Sequence, residues 1–222
     1  MARAGGWERA ARPGRKQRTG IVSGMRMILA SSKLGFGEEN RRGGHRFPLG
    51  VWVAAHSRDS RVRAAAMRSG RATRSLLRGG AEDPHPLVRC AAVGNPHAPE
   101  AVVRAGARDA TDWLRCAAVK NPRAPEDVVR AGFDDPSAHV RESAVLRRDA
   151  PTDLVGKACF DQARAVALAA ASSPRLPEDV AEQLSEATEV VAIQRALAAN
   201  PVVPERIRVV ARMRAEALRT AT

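Results

Sequence analysis

Arginine and aspartate carry the chemistry that recurs along this chain. Arg63, Arg89, Arg115 and Arg141 stand 26 residues apart, and Asp83, Asp109 and Asp135 each lie six residues ahead of the last three. A guanidinium offers a planar fork of donors, and a carboxylate accepts two of them in a charge-assisted pair. A row of open guanidiniums would track phosphates. A row paired with aspartates, its own or a neighbour's, would stitch one segment of chain to the next. The second role fits better, because the two columns weaken together: Ala167 and Gln194 replace Arg, and Ala187 replaces Asp. Asp161 breaks the match, keeping its carboxylate while its Arg is lost. The expected structural ladder is Asp83, Arg89, Asp109, Arg115, Asp135 and Arg141.

A second column holds Arg78, Arg104 and Arg130. Glu100 and Glu126 precede the last two by four residues, the favourable order for a pair on one helix face, so these are expected to be weak, solvated ion pairs. Arg78 differs, because Arg74 stands where the Glu should be. The first repeat thus carries Arg58, Arg61, Arg63, Arg68, Arg71, Arg74 and Arg78 against Asp59 alone. Arg58, Arg61, Arg68, Arg71, Arg74 and Arg78 form the candidate anion-binding surface.

Other chemistry lacks a pattern. His45, His56, His85, His97 and His139 never recur in one column. His85 and His139 are expected at the surface or as helix caps. Cys90 and Cys116 sit in identical Arg-Cys-Ala-Ala-Val contexts and Cys159 elsewhere, with no C-x-x-C and no metal-like His spacing. All three are expected as buried small apolar residues in a reducing cytoplasm. Trp113 is expected to pack between repeats. No Walker loop, G-x-G-x-x-G or H-E-x-x-H occurs. The reading carries no catalytic constellation, no metal, no cofactor and no small-molecule substrate. No apolar run approaches the length of a membrane span.

These side chains need a frame, and a repeat supplies it. Val88-Arg-Cys-Ala-Ala-Val-Gly-Asn-Pro-His-Ala-Pro99 returns 26 residues later as Leu114-Arg-Cys-Ala-Ala-Val-Lys-Asn-Pro-Arg-Ala-Pro125. Further steps reach Val140, Val166 and, with one added residue, Ile193; a backward step reaches Val62, and Phe47–Val51 matches the second half of a unit. Each unit reads as two short helices. The first starts at Asp-Pro, as at Asp83-Pro84 and Asp135-Pro136, with Asp as N-cap. It stops at Asn95, Asn121 or Asn200, each before Pro, where Asn tolerates a left-handed cap. The second opens at Pro-Glu (Pro99-Glu100, Pro125-Glu126, Pro177-Glu178, Pro204-Glu205), and Gly80, Gly106 and Gly132 are expected to cap its end. About two turns are too few for a helix to stand alone, so each unit must lean on its neighbours.

Aromatics are 3% of the chain and Tyr is missing, while apolar residues reach 44%. Thin Ala/Val/Leu helices suit that supply; aromatic-rich sandwiches and barrels do not. The formal charge of +13 is concentrated at one end. Residues 1–80 hold 18 basic and 4 acidic side chains, against 19 and 20 in the remainder. A basic end attracts nucleic acid, anionic lipid or an acidic protein patch. At the other end Glu178, Asp179, Glu182, Glu186 and Glu189 have no basic residue among them, and read as an acidic cap. Residues 1–46 are Gly- and Arg-rich without apolar periodicity, and are expected to be a disordered tail ahead of a repeat domain over 47–222.

The unit V-R-x-x-A-V-x-N-P-x-x-P-E-x-V-V resembles the leucine-rich repeat variant family, from Phe47 to near Val210. The Asp-x5-Arg element also resembles HEAT-type repeats. The resemblance implies a right-handed superhelix pairing an α-helix with a second short, often 3₁₀, helix. One form of the family carries an N-terminal iron–sulfur domain on a cysteine cluster; this chain has no cysteine before Cys90, so no cluster is implied. The expected fold is all-α, a right-handed α-solenoid of about six 26-residue two-helix repeats. The expected function is a non-enzymatic protein-interaction scaffold in the cytoplasm. The alternative is a nucleic-acid-binding solenoid that uses the basic N-terminal repeat and tail.

Overall fold

A computed structural model describes residues 49–220. The tail expected over residues 1–46 lies outside them. Among the described residues there are thirteen helices and no strand, all within the unit Pro48–Thr222. A leading helix, α1 (Leu49–Ala55), is followed by six pairs: α2 (Ser60–Arg68) with α3 (Arg74–Ala81), α4 (Pro86–Val93) with α5 (Glu100–Gly106), α6 (Asp112–Lys120) with α7 (Glu126–Phe133), α8 (Ala138–Val145) with α9 (Thr152–Ala158), α10 (Arg164–Ala171) with α11 (Glu178–Ala187), and α12 (Val191–Ala199) with α13 (Glu205–Thr220). The second helices are α-helices, where the family resemblance implied a frequent 3₁₀ form.

The repeated apolar columns make these helices stack. Val88, Leu114, Val140, Val166 and Ile193 fill the centre of successive first helices and are buried. Leu77, Val103, Val129 and Val155 do the same for second helices. Burying one such side chain is worth about 1.5–3 kcal/mol, which is what holds helices of seven to nine residues that nucleation alone would not sustain. One continuous core runs from Val93 to Ala211, and a separate cluster around Met67, Leu77 and Val88 serves the first repeat. Val62, the first member of its column, is exposed.

Several local assignments change. Asp83 and Asp135 are not N-caps: α4 and α8 begin at Pro86 and Ala138, after N-caps His85 and Ser137. The aspartates sit two residues further out and hold the entering turn. Asn121 and Asn200 close their helices with extended backbone, φ −62° and −78°, not the left-handed conformation. Gly80, Gly106 and Gly132 lie inside or at the last residue of their helices, where they permit close approach. A Cβ on Gly106 would meet the Val93 methyls at 2.6 Å, and one on Gly132 would meet Val119 Cγ2 at 2.9 Å. Trp113 is exposed, not wedged between repeats. Of the cysteines only Cys159 is buried; Cys90 and Cys116 are half-buried, and all three are free thiols. Burial pushes Cys159 up to about 12. It also raises Cys90, opposed by the positive charge of Arg68 and assisted by Cys116 one repeat away. His85 does cap α4, its Nδ1 accepting from the Leu87 N–H at 3.2 Å.

Candidate anion-binding groove

The stack is held in register by two ladders, one at each end of the first helices. At the start, each arginine reaches forward to the aspartate of the next repeat. Arg63 Nε and Nη2 donate to Asp83 at 2.7 and 2.9 Å. Arg115 pairs with Asp135 at 2.8 and 2.9 Å, and Arg141 with Asp161 at 2.7 and 2.9 Å. Arg89 donates to Asp109 once, at 3.1 Å. The remaining nitrogen, Nη1, turns back to carbonyls five and six residues earlier, as Arg141 does to Asp135 and Pro136. Each aspartate meanwhile accepts the backbone N–H two residues on: His85, Thr111, Ser137 or Ala163. One carboxylate thus holds its own turn and clasps the preceding repeat.

These bonds keep the carboxylates ionised. Arg63 and Arg141 hold Asp83 and Asp161 below the ordinary carboxylate range. At Asp109 and Asp135 burial pushes the other way, and the arginine and backbone donors together overcome it. The forward direction of pairing also explains Asp161. Its partner is Arg141 of the repeat before, so the loss of Arg at Ala167 leaves it untouched and instead removes the need for a carboxylate one repeat on. The residue in that next position is Thr188, not Ala187, because the stretch from Pro177 to Thr188 is one residue longer than that from Pro151 to Asp161. Thr188 Oγ1 accepts from the Val190 N–H at 3.2 Å, the same turn bond the aspartates make. Gln194, fully buried, takes over the backward contact by donating to the Ser185 and Thr188 carbonyls at 2.9 Å.

The second ladder was not anticipated. Asn95 Nδ2 donates back to the Met67 and Ser69 carbonyls at 2.6 and 3.1 Å, and Asn200 Nδ2 to Ala171 and Ser173 at 2.9 and 3.0 Å. Asn121 reaches Val93 and Asn95 in the same way. Each Asn Oδ1 accepts from the N–H two residues on. Helix C-terminal carbonyls have no partner within their own helix, and this column supplies one from the next repeat. The Asn-Pro recurrence was the signal. Arg147 stands in the same column and keeps the bond, Nη1 donating to the Asn121 carbonyl at 2.8 Å while Asp149 holds the rest of its guanidinium.

The second helices carry the surface pairs. Arg104 meets Glu100 at 3.9 Å and Asp127 of the next repeat at 3.1 Å. Arg130 meets Glu126 at 2.8 Å and Asp153 of the next repeat at 3.4 Å. At the far end Glu178 and Glu182 both bind Arg206, at 2.7 and 2.6 Å, so the acidic cap is partly neutralised by α13.

The first repeat departs from this order. Arg58, Arg61, Arg68, Arg71, Arg74 and Arg78 are all exposed, and none makes a side-chain hydrogen bond or ion pair among the described residues. They do not share one face. Arg58 and Arg61 flank the entrance to α2, and Arg68 closes it near Cys90. Arg74 and Arg78 lie on α3 and line a notch of about 410 Å³ against α5 with Arg123, Ala98, Pro99 and Glu100. Three arginines face one carboxylate there. Two repeats further along, the equivalent groove of about 610 Å³ presents Glu126, Asp149 and Asp153 against Arg130 and Arg175. Among the described residues no cluster of His, Cys, Asp or Glu could hold a metal ion, and no helix is long and apolar enough to cross a membrane. No family model matches the chain, and no curated protein matches it significantly.

Proposed function

We propose that this chain is a non-enzymatic scaffold for protein–protein interaction, a cytoplasmic solenoid akin to the leucine-rich repeat variant and HEAT-type repeats. One contrast supports the reading: the repeated arginines of the interior are spent on the chain itself, while those of the first repeat other than Arg63 remain open. A stacked array offers long faces whose side chains vary without disturbing the core. The open arginines point to a partner bearing negative charge. Cross-linked capture from the native host with the full chain tests the reading; recovery of nucleic acid in place of protein would overturn it.

The second reading, nucleic-acid binding, rests on the same six arginines. Aromatics are only 3% of the chain, which counts against the base stacking that supports single-strand recognition, and duplex phosphates are the better target. Binding to a short DNA duplex would then weaken with salt at a log–log slope near −0.9 per phosphate neutralised. The scaffold reading expects duplex binding no tighter than about 10⁻⁴–10⁻⁶ M, as for non-specific association.

A further inference from the structure

We infer that the notch between α3 and α5 is a docking site for an acidic, Asp/Glu-rich segment of a partner protein. The inference rests on the scaffold reading above and adds a place and a chemistry to it. The chain's own later grooves show what this position binds. Arg104 is met by Glu100 from its own helix and by Asp127 from the next second helix. Arg130 is met by Glu126 and Asp153 in the same geometry. Arg78 occupies the same column, but Arg74 replaces the first carboxylate and Ala101 the second. Both internal partners are therefore gone at once, and Arg123 adds a third guanidinium to the same notch.

A guanidinium with two missing carboxylate partners is satisfied by a ligand that brings carboxylates, and crowding three positive charges in one notch makes an incoming anion more favourable still. The site is short. In the grooves further along, Arg104 and Arg130 are each already met by two carboxylates, so they offer no open cation to a phosphate backbone continuing past the first groove. A duplex gains affinity by neutralising many phosphates in a row, whereas a peptide needs only a few side chains. The geometry favours the peptide.

The test is fluorescence anisotropy of labelled hexaglutamate binding to the full chain, with a short DNA duplex and inorganic phosphate as comparators. Arg74→Glu/Ala101→Asp rebuilds the later grooves' internal pairing, turns the notch from net positive to net negative, and should weaken hexaglutamate binding by about tenfold or more. Arg164→Glu/Lys157→Gln removes the same formal charge at exposed side chains outside the notch and should change binding by no more than about twofold, as expected of a screened, distant charge. Equal losses from the two variants would show general charge attraction and overturn the site. Tighter binding of the duplex, lost in the same variant, would overturn the acidic-peptide assignment, as would displacement of the peptide by phosphate alone. Circular dichroism checks folding. If Arg74→Glu/Ala101→Asp melts far below the parent, Arg74→Gln/Arg78→Gln carries the same expectation. A protein partner captured from the host equally well by the notch variant would overturn the site while leaving the scaffold reading standing.

Discussion

The first groove and the groove two repeats along it share a backbone and oppose each other in charge. Position by position, Arg74 becomes Glu126 and Ala101 becomes Asp153, while Arg78 and Arg123 recur as Arg130 and Arg175. The buried column of the second helices continues through both regions, since Leu77, Val103, Val129 and Val155 are all buried. The difference is confined to side chains that leave the core alone. Such positions are free to pair internally or to stay open, and this chain does both. A repeat column is therefore informative where it breaks: an arginine that persists after its carboxylates are gone has lost its structural reason.

The contrast can be broken most forcefully with acid. The four ladder carboxylates Asp83, Asp109, Asp135 and Asp161 are held below the ordinary value of 3.8. Between that lowered value and the ordinary one the unfolded chain binds protons that the folded chain does not. The ladder's contribution is thus complete above the ordinary carboxylate range and is lost as pH falls through the folded-state values. Thermal melts should show stability dropping steeply as pH falls below about 4. A flat profile there would show that the ladder contributes little.

Single substitutions come next. Arg141 is the most buried of the ladder arginines, and Arg141→Ala leaves Asp161 half-enclosed without its partner. A loss of about 2–4 kcal/mol is expected, visible as a clear drop in melting temperature and a shallower acid limb. Asn121→Ala strips donors from the carbonyls of Val93 and Asn95 and should cost about 1–3 kcal/mol with little change in pH dependence, since no charge is involved. Arg104→Ala removes a solvated pair and should cost only ~0.3–0.5 kcal/mol. At the end of the series Arg78→Ala should leave the melting temperature within error, because the side chain has no internal partner. Chemical denaturation of the four variants in one buffer measures the order. If Arg78→Ala destabilised more than Arg104→Ala, the first groove would be structural after all.

The helical pairs were readable because their signals are local. Pro-Glu openings, two-turn apolar spacing and the 26-residue period all act within one unit, and the pairs formed where they indicated. Six of the ladder's members were readable, since Arg and Asp recur in fixed columns, while Arg63 and Asp161 are missed because each lacks a partner at the six-residue spacing. The ladder's direction was not readable: the six-residue spacing suggests a partner upstream, while the observed carboxylate lies 20 residues downstream. The misplacement of Ala187 for Thr188 has the same origin, because a single added residue can be counted before or after a loop until the helix that contains it is seen. Conformational habit alone points Asn and Gly to left-handed helix caps. Their actual roles, a backward hydrogen bond and a close approach to Val93 or Val119, depend on a neighbour that sequence alone does not position.

The sequence by itself determined the repeat, the two-helix unit, the buried columns and the excess of arginine in the first repeat. These follow from backbone propensity and apolar periodicity, which operate over a few residues and are written out afresh in each copy. Only the tertiary structure decided which arginines are spent and which are open. An ion pair forms when stacking brings two side chains within about 4 Å of each other, and that distance is set by how one repeat rests on the next. Arg63 and Arg78 belong to the same repeat and are chemically identical; the first finds Asp83 at 2.7 Å, and the second faces a notch in which the carboxylates of later repeats have been replaced.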